Sequence, residues 1–118
     1  MSTQSAEKLL QDMITQYCRW TSSVSPDMKK LREVLTQLSD QQKLHILQQR
    51  YSVFGTPLEC AAYRDHTEII SILLTSLQSS VNRLKLLMVD ERTPLHSAAY
   101  HGHTESVKMI LDCLTADQ

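Results

Sequence analysis

The sequence is poor in the residues that strands and nucleotide-binding loops require. Its 118 residues include only two glycines, one phenylalanine and one tryptophan, together with three prolines. So few glycines make a phosphate-cradling loop implausible, and the shortage of aromatic residues disfavours strands. Leucine, glutamine, serine and alanine are frequent instead, a balance that favours helices. We therefore predict an all-α protein, and 42% hydrophobic residues suffice for one compact core.

Cysteine is also scarce and unevenly placed. Cys18, Cys60 and Cys113 are far apart, odd in number and outside any C-x-x-C pair. This spacing excludes a disulfide framework and a cysteine zinc site, and it favours a reducing compartment. The N-terminus lacks a basic segment followed by an apolar run, and no run approaches the roughly 18 apolar residues of a spanning helix. We expect a soluble, intracellular protein, most simply a cytoplasmic one.

Neither the net charge nor any sequence motif indicates a nucleic-acid partner, a membrane partner or a catalytic site. The formal net charge is −1, with acids and bases spread evenly along the chain. A nucleic-acid footprint or a polybasic membrane patch would need clustered positive charge, so we predict neither a nucleic-acid nor a membrane partner. No G-x-S-x-G or H-E-x-x-H motif occurs. The sequence predicts no enzyme activity and no cofactor.

One segment occurs twice, 37 positions apart. Residues 93–103 (TPLHSAAYHGH) repeat residues 56–66 (TPLECAAYRDH), and the similarity continues for about eight more residues. In each copy the threonine is predicted to be a helix N-cap and the proline the first helical residue. The paired alanines would let neighbouring helices approach closely. Gly102 is placed to end the helix in a left-handed conformation, and we expect Asp65 to replace it with slight strain.

This pattern resembles the ankyrin repeat, whose T-P-L-H-x-A signature the second copy matches fully. The first copy has Glu59 in place of the histidine. The resemblance implies a helical solenoid. The copies are spaced 37 residues apart rather than about 33, and both connectors carry leucines at helical spacing. We therefore predict helical connectors in place of the usual extended fingers.

A third copy of the outer helix is predicted nearer the N-terminus. Its apolar positions Leu31, Val34, Leu35 and Leu38 match Ile70, Leu73, Leu74 and Leu77. The predicted organisation has four parts: an N-terminal helical cap (1–24, with a helix from about Ala6 to Trp20), a degenerate repeat (25–55, capped by Ser25 before Pro26 and Asp27), a full repeat (56–92), and a repeat that stops in its following connector (93–118). Trp20 is interpreted as a core residue, with an exposed binding anchor as the alternative.

The resemblance implies a protein-interaction module that binds through inner helices and connector tips. The two positions after each alanine pair vary in the family and face the partner. The expected protein-binding residues are Tyr63, Arg64, Tyr100, His101, Cys60, Ser97, Glu91 and Arg92. The alternative is that the two tyrosines merely cover the groove between repeats. Met109 and Cys113 would face the position of a further repeat, which predicts self-association.

Two other functions remain open from sequence. The final residues 114–118 resemble residues 38–42, which is compatible with an ankyrin segment of a larger signalling or adaptor protein. A small metal-dependent enzyme would use His96, His101 and His103 as zinc ligands. Against that, His96 and His103 fall on histidine positions of the ankyrin pattern, where imidazoles hydrogen-bond loops and helix ends.

Overall fold

The computed structural model describes residues 3–19, 27–51, 55–89 and 94–115. Within these ranges the chain forms eight helices and no strand. They are α1 (Thr3–Cys18), α2 (Met28–Thr36), α3 (Asp40–Leu47), α4 (Pro57–Tyr63), α5 (Thr67–Thr75), α6 (Ser80–Leu87), α7 (Pro94–Tyr100) and α8 (Thr104–Thr115). The predicted all-α fold with helical connectors is confirmed. None of the described helices is both long and apolar enough to cross a bilayer.

Helix α4 begins as the T-P motif predicts. The Thr56 hydroxyl accepts a hydrogen bond from the Glu59 backbone N–H at 3.3 Å, and the Glu59 carboxylate accepts one from the Thr56 N–H at 3.4 Å. Pro57 occupies the first helical turn, where its missing donor costs nothing. Glu59 therefore closes a capping box at a buried position. The corresponding Thr93 lies outside the described residues.

Helix α2 starts later than predicted. Asp27 has extended backbone angles, and its carboxylate accepts a hydrogen bond from the Lys30 N–H at 3.2 Å. Asp27 is therefore the N-cap, and its predicted place in the first turn was wrong. Ser25, the cap expected from sequence, and Pro26 lie outside the described residues.

The helices stack in two layers. The short helix α4 packs against α7, while the longer α5 packs against α8. α1 pairs with α2 as α4 pairs with α5, and it also contacts α3 and α4. The N-terminal helix thus packs on the first full repeat, and it ends at Cys18 rather than at Trp20, which lies outside the described residues. The division into residues 1–24, 25–55, 56–92 and 93–118 stays a prediction.

The core runs through this stack without interruption. Its largest fully buried side chains come from α1 to α5. The burial of each stabilises the folded state by roughly 1.5–3 kcal/mol. They are Leu10, Ile14, Tyr17, Leu31, Leu35, Ile46, Leu47, Leu58, Ile69, Ile70, Leu73 and Leu74. Ala61 and Ala62 are fully buried between helices, as their small size predicts.

Two connector helices carry a buried cation at the same position. Lys43 in α3 donates to the Ser76 carbonyl at 2.6 Å, and Arg83 in α6 donates to the Cys113 carbonyl at 3.4 Å. Ser76 and Cys113 are 37 residues apart, so they are equivalent positions in successive outer helices. Each helical connector is thereby bound to the outer helix of the repeat that follows it.

Candidate functional site

A tyrosine lies at the end of each inner helix. Tyr17 is the next-to-last residue of α1, while Tyr63 and Tyr100 are the last residues of α4 and α7. The exposed fraction rises along the stack, from 2% for Tyr17 to 40% for Tyr63 and 81% for Tyr100. The degree to which each ring is covered by the next repeat therefore decides what it can offer to a partner.

Tyr17 is covered by the repeat that follows it. The Arg64 guanidinium lies 5.0 Å from the centre of the Tyr17 ring, and the Tyr17 hydroxyl makes a 2.7 Å hydrogen bond with His66 Nδ1. Arg64 also donates to the backbone carbonyls of Tyr17 at 2.6 Å and Arg19 at 2.8 Å. Burial raises the pKa of Tyr17, and the neighbouring thiol of Cys60 acts in the same direction. This tyrosine is a structural residue of the stack.

Tyr63 is covered by the equivalent residues one repeat later. The His101 ring lies 4.7 Å from the Tyr63 ring in an edge-on arrangement, and His103 Nε2 is 2.9 Å from the Tyr63 carbonyl oxygen. His101 and His103 follow Arg64 and His66 by 37 positions. The two repeat positions that cover Tyr17 therefore also contact Tyr63. Tyr63 is covered less, because the His101 imidazole meets its ring edge-on and His103 bonds its carbonyl, whereas Arg64 lies over the Tyr17 ring and His66 bonds its hydroxyl.

Tyr100 continues this series at the exposed end. Its ring lies 5.1 Å from that of His101, which thus touches both exposed tyrosines. Tyr63, Tyr100 and His101 form one cluster, which we name the tyrosine surface. Three of the residues expected from sequence to bind a partner are brought together here.

The other expected binding residues are placed differently. Arg64 is half-buried and holds the end of α1, so its charge already serves the fold. Ser97 is half-buried on α7. Glu91 and Arg92 lie outside the described residues. Cys60 is fully buried, because its face of α4 packs on α1, so the expectation that it contacts a partner is corrected.

The three histidines of the zinc hypothesis have separate roles. His96 is exposed on α7, His101 packs on the tyrosine rings, and His103 bonds to the Tyr63 carbonyl. Within the described ranges no group of three His, Cys, Asp or Glu side chains is arranged to hold a metal ion. The hydrogen bond of His103 confirms its interpretation as a residue that joins neighbouring repeats.

Tyr17 is a member of the tyrosine series that the repeat pattern in the sequence does not reveal. Tyr17 is as deeply buried as the apolar residues of α1, such as Leu10 and Ile14. The T-P motif does not precede it, and its distance to Tyr63 differs from 37 residues, so the repeat comparison did not include it. The only available signal was that a tyrosine stands near the end of each inner helix.

Comparison with known proteins agrees with this architecture. The family model for ankyrin repeats, in three copies, matches residues 28–118. Neither the curated proteins nor the solved structures contained a match. The matched segment covers most of the chain. The chain therefore belongs to the ankyrin-repeat family, whose members are typically non-catalytic and generally mediate interactions between proteins.

Proposed function

We propose that this chain is a non-catalytic protein-interaction module whose partner binds the tyrosine surface. The observation that carries the proposal is the 81% exposure of Tyr100, at the end of a series in which Tyr17 and Tyr63 are progressively covered. Tyrosine offers a large contact area with a polar tip, and aromatic residues dominate the binding energy of many interfaces. Covering the Tyr100 ring is the main contribution expected from a partner.

The tyrosine surface is held in place before any partner arrives. His101 contacts both tyrosine rings, and His103 bonds the end of α4 to the following repeat. Tyrosine has few rotatable bonds, so little conformational entropy is lost when it is covered. A partner can therefore bind this small surface without first having to order it.

The covered tyrosines indicate the chemistry of the group that would cover Tyr100. Arg64 lies over the Tyr17 ring and His101 packs edge-on against the Tyr63 ring, so each tyrosine accepts a planar nitrogen-containing side chain. An arginine of the partner over Tyr100 would gain about 0.5–2 kcal/mol as a cation–π contact. The partner is accordingly a protein that presents an arginine or histidine.

The test is capture of partner proteins by the purified chain and by the Tyr63→Ala, Tyr100→Ala double variant. We expect the double variant to lose capture while its helical circular dichroism signal is unchanged. Tyr100→Ala alone should weaken capture more than Tyr63→Ala, because Tyr100 is more exposed. Tyr100→Phe, which keeps the ring, should retain most of the binding.

The control is Met88→Ala, which removes an exposed apolar side chain directly after α6 instead. This variant should capture the same proteins as the original chain. If the double tyrosine variant captures its partners as well as the original chain does, the tyrosine surface is not the binding site.

A further inference from the structure

Two of the three cysteines meet in the core. Cys18 is the last residue of α1 and Cys60 lies in the middle of α4. Both are fully buried and free. Arg64, one helical turn after Cys60, donates to the carbonyls of Tyr17 and Arg19 on either side of Cys18, which places the two thiols next to each other. The packing of α1 on α4 therefore creates a dithiol that the cysteine spacing does not predict.

The surroundings make the two thiols unequal. A hydrogen bond to Cys60, together with burial, raises the pKa of Cys18. The same hydrogen bond lowers the pKa of Cys60, and the positive charge of Arg64 acts in the same direction against burial. Cys60 is the better nucleophile of the pair because the thiolate is the reactive form.

We propose that Cys18 and Cys60 form an oxidisable site, in which a peroxide converts the two thiols into a disulfide that joins α1 to α4. The Cys60 sulfur attacks one peroxide oxygen, which breaks the O–O bond and leaves a sulfenic acid and an alcohol or water. The Cys18 sulfur then attacks the Cys60 sulfur and expels water. Overall, two thiols lose two electrons and two protons, and one peroxide is reduced.

Access to the site depends on the end of α1. Cys18 is in the last turn of the helix, where Arg64 holds the carbonyls of Tyr17 and Arg19. Terminal turns open more readily than helix centres, and here the side chain of Arg64, rather than the helix itself, supplies the donors to these carbonyls, so release of Arg64 would open the turn. Opening of this turn would admit the peroxide, and closing it would bring the two sulfurs together again. The inference is independent of the tyrosine surface.

Cys113 provides an internal control. It is also buried and free, but it lies in α8, and burial raises its pKa. The helices against which α8 mainly packs are α5, α6 and α7, and neither Cys18 nor Cys60 belongs to them. The folded protein should therefore join Cys18 to Cys60 and leave Cys113 as a thiol.

The experiment treats the full chain with hydrogen peroxide, blocks the remaining thiols with an alkylating reagent, and maps the tryptic peptides by mass spectrometry without reduction. Cleavage after Lys8, Arg19, Arg50, Arg64 and Lys108 separates the three cysteines into residues 9–19, 51–64 and 109–118. We expect the first two peptides to be cross-linked and the third to be alkylated. The melting temperature should rise by several degrees, because the cross-link restricts the unfolded chain.

Cys113→Ser should behave as the original chain, whereas Cys18→Ser and Cys60→Ser should form no intramolecular cross-link. The same treatment in concentrated urea gives the pattern of an unfolded chain. If the folded protein keeps three free thiols while the unfolded chain oxidises, the proposal is overturned. Cross-links to Cys113 in the folded protein as abundant as the Cys18–Cys60 link would also overturn it. Mapping of the original chain decides the matter even if a variant does not fold.

Discussion

At the residue scale, one turn shows how a replaced glycine is compensated. Asp65 and Gly102 occupy equivalent positions after the inner helices, with φ values of 58° and 70°. The strain expected for Asp65 is small, because aspartate tolerates the left-handed region better than most residues do. The Asp65 carboxylate also accepts a 2.6 Å hydrogen bond from the buried Ser106 hydroxyl. Asp65 therefore joins two repeats, which glycine could not do.

This contact can be measured by a double-mutant cycle on Asp65→Gly and Ser106→Ala. Asp65→Gly relieves the positive φ but leaves the buried Ser106 hydroxyl without its acceptor, so we expect it to destabilise the protein. Ser106→Ala should cost less in the Asp65→Gly background than in the original chain, with a coupling energy of about 1 kcal/mol. Urea unfolding of the four proteins measures it, and a coupling near zero would contradict the assigned bond.

His66 should make stability depend on pH. Burial, followed by the positive charge of Arg64, lowers the pKa of His66 in the folded state, although Asp65 opposes this. The unfolded chain therefore binds a proton more readily than the folded one. Its contribution to stability is fully present above the ordinary value of 6.5 and is lost as pH falls through the lowered folded value.

We expect the urea midpoint of the original chain to decrease as the pH is lowered from 7 towards 5, and to decrease less for His66→Gln. The exposed His45 on α3 supplies the control, His45→Gln. This variant should follow the original chain over the whole pH range. Parallel curves for His66→Gln and the original chain would contradict the prediction.

At the element scale, the helical connectors depend on their buried cations. Arg83 donates to three carbonyls, those of Leu74 at 3.2 Å, Leu77 at 3.1 Å and Cys113 at 3.4 Å. Lys43 has the same position one connector earlier but binds only the Ser76 carbonyl, with Asp40 at 3.8 Å. Carbonyls at helix ends need donors from outside the helix, and these side chains supply them. Arg83 thus fixes α6 to the C-terminal ends of two successive outer helices, α5 and α8.

Arg83→Met should destabilise the protein by about 2–4 kcal/mol, because it leaves buried carbonyls without their donors. Arg83→Lys should cost less, since Lys43 shows that an ammonium can bind an equivalent carbonyl. Lys85→Met on the exposed face of the same helix is the matched control and should change little. Urea unfolding measures all three variants. Equal losses for Arg83→Met and Lys85→Met would contradict the role assigned to Arg83.

At the scale of the whole molecule, the stack leaves apolar side chains exposed on α6 and α8. Cys113, expected to be accessible at this end, is only 5% exposed, which corrects that expectation. The exposed apolar side chains are Val81 and Leu84 on α6, Met88 directly after α6, and Leu111 on α8. Leu44 occupies in α3 the position that Leu84 occupies in α6. Leu44 is buried and Leu84 is exposed, because α6 packs on α3. Self-association stays a prediction, now placed on these residues.

Sedimentation measurements at increasing protein concentration test that prediction. We expect the original chain to self-associate through its exposed apolar side chains on α6 and α8. The Leu84→Lys, Leu111→Lys double variant should remain monomeric, because burying two lysine charges between two copies of the chain is unfavourable. Glu105→Lys, on the exposed part of α8, controls for added positive charge. A monomer at every concentration would contradict self-association through this face.

Much of the fold was predictable from residues with strong local signals. Thr56 and Pro57 start α4, Gly102 takes a positive φ, and leucines at helical spacing place α3 and α6. These features depend on a few neighbouring residues, so a repeat comparison detects them. The start of α2 was less predictable because Ser25 and Asp27 are both good N-caps, and backbone geometry selects between them.

The candidate site was predictable only in part. Sequence alone determined that this chain is a helical repeat protein with a tyrosine, Tyr63 or Tyr100, at the end of the inner helix in each full copy of the repeat, because periodicity and capping are local properties. Tertiary structure decided that Tyr17 is buried beneath Arg64 and that Tyr100 is exposed. It also decided that Cys60 lies against Cys18 instead of facing a partner. Burial and contact depend on how α1, α4 and α7 pack, which no single segment of the sequence specifies.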